Sequence, residues 1–409
     1  MRRPVWMTAG VLTLVAAGAA MMSVSMGARQ TWGLLIGPLS TERGWPLATF
    51  SLAVALQNLL WGAFQPFSGA AADRWGSARV AVVGALAYAL GLAMVALGGP
   101  WTAVAGLGVV SGLGIACTSF AVVLGAVGRS VGPESRSSAL GFASAAGSLG
   151  MVGMIPVASN LIPAYGPTTT VWVLAVLCLA SVPFAAIIAR AERGTAHPSV
   201  HLAVGQTLAE ALADALRHTG FRLLTVGFFV CGFQIAFIGV HLPNYLALCG
   251  MPKSAGATAL LVLGAFNVVG TWLAGQLGTH FRPKYVLAAT YLLRAVAATA
   301  FVFGPKTDLT MMAFAAALGM MWLSTVPLTS GLIASVFGPK HMGALFGIVF
   351  FSHQVGAFVG SWLGGIVYDR TLSYDSMWIT TVLLGIAASL IHLPIGDRPL
   401  AERAVRQPA

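Results

Sequence analysis

Charge is scarce in this sequence of 409 residues, and negative charge is scarcest: 8% of the chain is Asp, Glu, Lys or Arg, and only 11 residues are acidic. A soluble domain carries about 25% charged residues. With 57% of residues hydrophobic, so little charge cannot cover a water-facing surface, which excludes an ordinary soluble globule. Cysteine is rare too. Cys117, Cys178, Cys231 and Cys249 stand singly, without the spacing of a metal site or a disulfide framework. They read as packing residues. We expect no metal and no cofactor, and the lack of any nucleophile–base constellation argues against a membrane enzyme.

Long apolar runs are what the chain has. Twelve are long enough to cross about 30 Å of hydrocarbon: residues 7–36, 47–69, 78–98, 102–127, 138–164, 168–190, 221–248, 255–278, 284–304, 309–336, 342–367 and 376–396. The expected fold is all-α and integral to the membrane, with the bilayer as its solvent. The opening "MRRPVWMTAGVLTLVAAGAA" has the make-up of a signal peptide. Its apolar run continues past residue 30, so it reads as the first span instead. A net charge of +11 raises the possibility of a nucleic-acid partner, but the distribution points elsewhere. With the N-terminus inside, most of the 22 Lys and Arg fall on the cytoplasmic side. That is the positive-inside pattern, which sets orientation. Both termini are expected in the cytoplasm, in a cell (inner) membrane, with no nucleic acid bound.

The longest polar interruption, 191–220, divides the chain into an N-terminal bundle (1–190), a cytoplasmic linker with a short amphipathic helix at Leu208, Leu212 and Leu216, and a C-terminal bundle (221–409). The halves repeat at an offset of 206. It carries Gly69 onto Gly275, Gly141 onto Gly347, Gly150 onto Gly356 and Trp172 onto Trp378. Six spans per half return the chain to the same side, so the repeats are parallel. Two pseudo-symmetric six-helix bundles of this kind mark secondary transporters, with cargo held between the halves near the bilayer midplane.

The loop "GAAADRWGSARV", beginning at Gly69, resembles the signature loop of the major facilitator superfamily between its second and third helices. Gly69, Asp73, Arg74, Gly76 and Arg79 carry the likeness in order, spacing and position. The resemblance implies a twelve-helix transporter with a cytoplasmic gate at this loop, in which Asp73 and the basic residues make contacts that break during alternating access. The second copy, "GQLGTHFRPKYV", is degraded, with Thr279 and His280 where the acid and the base would stand.

Every acidic residue falls in a loop, linker or tail between or beyond the twelve spans, so no carboxylate neutralises the cations placed within them. Those are Arg29, Arg294, His241 and His353. Ionisable groups in hydrocarbon are expensive and face a cavity or a partner. With no internal carboxylate to hand, the simplest partner is an anionic cargo. Sodium sites and many proton relays need embedded carboxylates. If protons are the second partner, histidine is the candidate carrier. Arg29 lies about seven residues, roughly 10 Å, outward of the middle of its span, with His241 at similar height. Near mid-depth stand Asn58, Gln234, Asn267, Arg294, His353 and Gln354. The repeat places His353 opposite Gly147, a loss of symmetry that suits a functional position. The helical-packing alternative for each is a histidine or arginine bonded between helices or snorkelling to headgroups.

Segments from the first to the third span resemble monocarboxylate transporters and oxalate:formate antiporters. Arg29 in "GARQTWG" stands close to the helix-1 cation of the former, and "GGIVYDRTLSYDSMW" at 364–378 resembles the end of helix 11 in bacterial members. His353 lies in the helix where the antiporters place a substrate-binding cation. One departure stands out: the helix-8 Asp and Arg of monocarboxylate transporters are replaced by Asn267 and Thr271 in "AFNVVGTWLAG". The resemblance implies a monomeric secondary transporter of a small organic anion, a monocarboxylate foremost, by proton symport or anion exchange. The alternative within the same superfamily is efflux of drugs or other hydrophobic solutes.

Overall fold

The computed structural model describes residues 8–195, 206–252 and 254–400. The N-terminal arginines, the middle of the proposed 191–220 linker, Lys253 and the tail after residue 400 lie outside the described residues. Among the described residues the chain is helical throughout, with no strand. The helices run in order: α1 (Ala9–Gln30), α2 (Trp32–Arg43), α3 (Leu47–Trp75), α4 (Ser77–Leu97), α5 (Pro100–Val104), a π-helical turn (Ala105–Val110), α6 (Ser111–Thr118), α7 (Phe120–Ser130), α8 (Arg136–Tyr165), α9 (Pro167–Ala180) and α10 (Val182–Thr195). There follow α11 (Leu208–Arg217), α12 (Thr219–Leu248), α13 (Ser254–His280), α14 (Pro283–Phe303), α15 (Asp308–Met321), α16 (Thr325–Phe337), α17 (Met342–Thr371) and α18 (Asp375–His392).

Among the described residues, eleven continuous or nearly continuous helices are long and apolar enough to cross a membrane. At 29 residues, α3 has the length of a twelfth. Large apolar side chains point outward: Val83, Leu86, Leu90 and Leu97 form an exposed stripe at helical spacing along α4. Polar side chains such as Gln57, Gln65, Gln234 and Asn267 lie inside. This inversion is what lipid as solvent demands, because only a helix satisfies its own backbone there.

The chain forms two compact units. One takes in residues 1–139, 146–205 and 339–347; the other takes in 140–145, 206–338 and 348–409. The 206-residue repeat appears in their helix boundaries. Shifting α4 by 206 gives the bounds of α14, and shifting α8 gives the bounds of α17. Packing explains the glycines. In the first unit a Cβ at Gly150 would strike the Ser23 carbonyl of α1; in the second a Cβ at Gly356 would strike the Phe229 carbonyl of α12. Ser23 and Phe229 are themselves 206 apart. Small residues let helix backbones touch where lipid offers no hydrophobic drive for association.

Among the described residues four apolar runs are interrupted, two of them, at Thr31 and Ser181, by a single residue that keeps helical φ/ψ. The other two lie beside polar side chains. In the first unit the helix stops at Ser119, between α6 and α7; in the second it stops at residues 322–324, between α15 and α16. Both read in the sequence as single apolar runs. A break at membrane depth frees backbone groups that need new partners, and in both units polar side chains on neighbouring helices supply them.

Candidate functional site

In the first unit, Arg29 occupies the last turn of α1. Its Nε donates to Asn58 Oδ1 on α3 at 2.9 Å, and Nη2 donates to the same oxygen. Asn58 is held in turn, its amide donating to the Val54 carbonyl at 3.0 Å. The guanidinium stands 5.1 Å from the centre of the Trp61 ring, one turn along α3, within cation–π range. The Trp61 indole donates to Ser119 Oγ at 2.9 Å, Gln65 Nε2 donates to the same hydroxyl at 2.8 Å, and Gln65 Oε1 accepts from the Ala121 amide. Gln65 thus serves the break before α7, and Trp61 carries that order up to Arg29. Among the described residues Arg29 forms no ion pair; the pairs present are Arg43–Glu42, Arg129–Asp73, Arg129–Glu192 and Arg282–Asp397.

Two neighbours retain unused hydrogen-bonding capacity. Gln57, one turn before Trp61, is fully buried with neither amide atom partnered, and the buried Tyr88 hydroxyl on α4 has no partner. Tyr88 is within electrostatic reach of Arg29. Buried polar atoms without partners are rare. The sequence reading missed Gln57, Trp61, Gln65 and Tyr88. The signal available was the four-residue spacing of Gln57, Trp61 and Gln65, which puts them on one face of an otherwise apolar helix.

The loop between α3 and α4 is built around Asp73. Its carboxylate accepts from Arg129 Nη1 on α7 and from the Ala344 amide at 2.9 Å, residues 339–347 belonging to this same unit. Arg129 also donates to Ser77 Oγ at 2.7 Å and pairs with Glu192 at 3.1 Å. Gly76 has φ +91, which a Cβ would strain, and a Cβ at Gly69 would collide with the Gly343 carbonyl. One expectation needs correcting. Arg74 and Arg79 are exposed, and Arg74 lies against Trp75; the cation on Asp73 is Arg129. Charge and spacing within the loop could not disclose a partner 56 residues away.

In the second unit the expected cluster disperses. Arg294 on α14 donates from Nε to the Met321 carbonyl at 3.1 Å, and from Nη2 to the Met321 carbonyl and to the Trp322 carbonyl at 2.7 Å. Asn267 on α13 accepts from the Leu323 amide at 3.1 Å and from the Thr271 hydroxyl. Both residues therefore mend the break between α15 and α16. Arg294 and Asn267, expected as cargo contacts, are here engaged by main-chain groups, the helical-packing alternative, because a broken helix in lipid must satisfy its backbone. His241 is likewise engaged. Its Nε2 donates to the Ser361 carbonyl at 2.9 Å, which leaves Nδ1 to accept from Tyr374 Oη at 3.1 Å, and Asn244 donates to that same phenol. Gln234 donates to the Thr381 carbonyl at 3.0 Å, while its Oε1 and Thr381 Oγ1 have no partner. These two residues line, with Arg294 and Trp322, a cavity of about 10 Å³. His353 lies between Phe228 and Phe350, with Nδ1 3.1 Å from Gln354 Oε1.

Interrupted helices in both units, a 206-residue internal repeat and a half-buried cation with open polar neighbours mark an all-α membrane fold of duplicated halves. The chain belongs to the Major Facilitator Superfamily, whose profile matches residues 13–361 and 268–408. It is 28% identical over 187 residues to the uncharacterized MFS-type transporter YcxA of Bacillus subtilis and 27% identical over 148 residues to the putative transporter AraJ of Escherichia coli. Those matches cover 44% and 36% of this chain, and the chain spans less than half the length of these curated relatives, 45% and 37%. Among solved structures it is similar to the transporter FucP in its outward conformation (TM-score 0.74, 15% identity, 94% of this chain and 98% of that one). The proton:xylose symporter XylE gives 0.70 at 14% identity over 97% and 99%, and the human organic anion transporter TETRAN 0.70 at 16% over 93% and 99%. Identities this low establish the fold alone.

Proposed function

We propose that this protein moves a small organic anion, foremost a monocarboxylate, across the cell (inner) membrane by alternating access, as proton symport or anion exchange. The observation that carries the reading is Arg29, a cation in a membrane span with no carboxylate partner among the described residues, held in place by Asn58 and Trp61. An anchored guanidinium presents a fork that matches a carboxylate. Gln57 and Tyr88 add donors and acceptors with nothing yet to bond. In the second unit, His353, Gln354 and Gln234 are the candidates for cargo contact; Arg294, Asn267 and His241 hold helices. The Asp73 cluster, with Gly69, Gly76, Arg74 and Arg79 in its loop, serves as the cytoplasmic gate. The chain acts as a monomeric carrier rather than an enzyme, with 1–190 and 221–409 as its repeats, 191–220 as the linker and both termini in the cytoplasm.

Uptake of labelled organic acids into proteoliposomes, with and without a pH gradient, tests this. Saturable uptake of at least one carboxylate is expected. Uptake of lipophilic cations instead, with no carboxylate competing, would favour the drug-efflux alternative.

A further inference from the structure

The cavity of about 10 Å³ in the second unit brings polar groups together in an apolar place. Ile238 and Leu318 wall part of it, and its polar members are Gln234 on α12, Arg294 on α14 and Thr381 on α18. Each keeps hydrogen-bonding capacity in hand. The Gln234 amide nitrogen donates to the Thr381 carbonyl and is packed onto α18, where a Cβ at Gly385 would lie 2.8 Å from it. That fixes which way round the amide sits, since turned over it would set two carbonyl oxygens against each other. The atom of Gln234 left without a partner is therefore its oxygen, Oε1, and the buried Thr381 hydroxyl has none either. Arg294 gives Nε and both N–H groups of Nη2 to the Met321 and Trp322 carbonyls, and one N–H of Nη1 to the Cys231 sulfur at 3.2 Å. The second N–H of Nη1 remains.

The internal repeat supplies a comparison. Subtracting 206 carries Arg294 onto Tyr88, Ile235 onto Arg29 and Ile238 onto Trp32, so this cavity is the second unit's counterpart of the Arg29 site. What is left over differs between the two. In the first unit the unpartnered groups include the Trp32 indole N–H and the Tyr88 hydroxyl, donors that suit an anion. In the second, Gln234 and Thr381 stand where the first has Ala28 and Ala175, and the Gln234 oxygen can only accept. An anion has no hydrogen to give it. The occupant must donate to Oε1, accept from the guanidinium and bond the Thr381 hydroxyl, within roughly the 10–15 Å³ that one water molecule requires. We propose that the cavity is a binding site for a single buried water, held by Gln234, Thr381 and Arg294. Buried waters typically make about three such bonds to groups that otherwise have none, and a water bridge is nearly as good as a direct bond. This one hydrates a guanidinium that forms no ion pair among the described residues. It also joins α14 to α12 and α18 through polar groups, where lipid gives apolar side chains no drive to associate. The site stands whatever the cargo is.

The test is X-ray radiolysis of the full-length protein in detergent, which makes hydroxyl radicals from bound water in place, read by mass spectrometry. Ile238 and Leu318 are each 2% exposed, out of reach of radicals from bulk solvent. Leu242, on the same helix as Ile238 and equally buried, does not line the cavity and serves as the reference. Oxidation of Ile238 and Leu318 severalfold above Leu242 is expected in the wild type and in Thr381→Ser, falling to the Leu242 level in Thr381→Val. Oxidation of the two no greater than that of Leu242 in the wild type would overturn the site. Thermal unfolding gives a second reading. With water bound, Thr381→Val takes away one of its partners and lowers the midpoint. In a dry cavity the same change swaps an idle hydroxyl for a methyl group, and an unchanged or raised midpoint would contradict the proposal. Where Thr381→Val does not fold, the wild-type labelling against Leu242 still decides.

Discussion

A guanidinium in hydrocarbon needs partners for five N–H groups and an answer to its charge. Arg29 and Arg294 meet that need differently. Arg294 gives Nε and Nη2 to the carbonyls of a broken helix, so its loss falls on stability. Arg294→Ala should destabilise the protein by roughly 2–6 kcal/mol, two buried carbonyls losing donors at about 1–3 kcal/mol each, read as a lower midpoint of thermal unfolding in detergent. Arg29 has a side-chain amide and an aromatic face, neither of which depends on it for a helix. Arg29→Gln should leave the unfolding midpoint nearly unchanged while abolishing anion uptake. Residue type and depth made both arginines conspicuous in the sequence. The partners of Arg294 were not legible, because Met321 and Trp322 contribute backbone, which has no sequence signature.

At the scale of elements, apolar length was the readable quantity, and the spans follow from it. The breaks were not readable. Residues 309–336 form one apolar run, yet the helix stops after Met321 and resumes at Thr325. What permits the stop is the reach of Arg294 and Asn267 from neighbouring helices, a tertiary fact. The glycine repeat was legible as an offset but not as a contact. With coordinates it becomes a pair of backbone crossings, Gly150 on Ser23 and Gly356 on Phe229. Gly356→Val should cost at least about 1–3 kcal/mol of stability from overpacking. Val at the neighbouring Gly365, where a Cβ meets nothing, should cost far less. Thermal unfolding of the two variants side by side checks the contrast.

The whole molecule adds the ends of the helices, where water returns. Arg282, at the start of α14, donates from Nε to Asp397 Oδ2 at 2.8 Å in place of the acidic loop of the first repeat. That hydrogen bond holds the Asp397 carboxyl below its usual range. A depressed folded-state value means the contribution is present at neutral pH and is lost as pH falls below the ordinary carboxylate range and through the lowered one. Asp397→Asn should therefore lower the unfolding midpoint slightly at neutral pH, and the difference from wild type should vanish in acid. A gap that persists in acid would contradict it. In the first unit, Asp73→Asn removes the charge on which Arg129 closes and should slow transport at least tenfold without unfolding the protein. The sequence located that loop by its motif, but it pointed to the wrong cations.

The most direct measurement of the central claim is carboxylate binding to the purified protein by calorimetry, comparing wild type with Arg29→Gln and Arg29→Lys. We predict that at least one small carboxylate binds the wild type, that Arg29→Gln weakens it by roughly 30-fold or more, as loss of charged hydrogen bonds worth about 2–3 kcal/mol implies, and that Arg29→Lys falls between them. Equal affinity in all three proteins, or binding confined to uncharged and cationic solutes, would contradict the account.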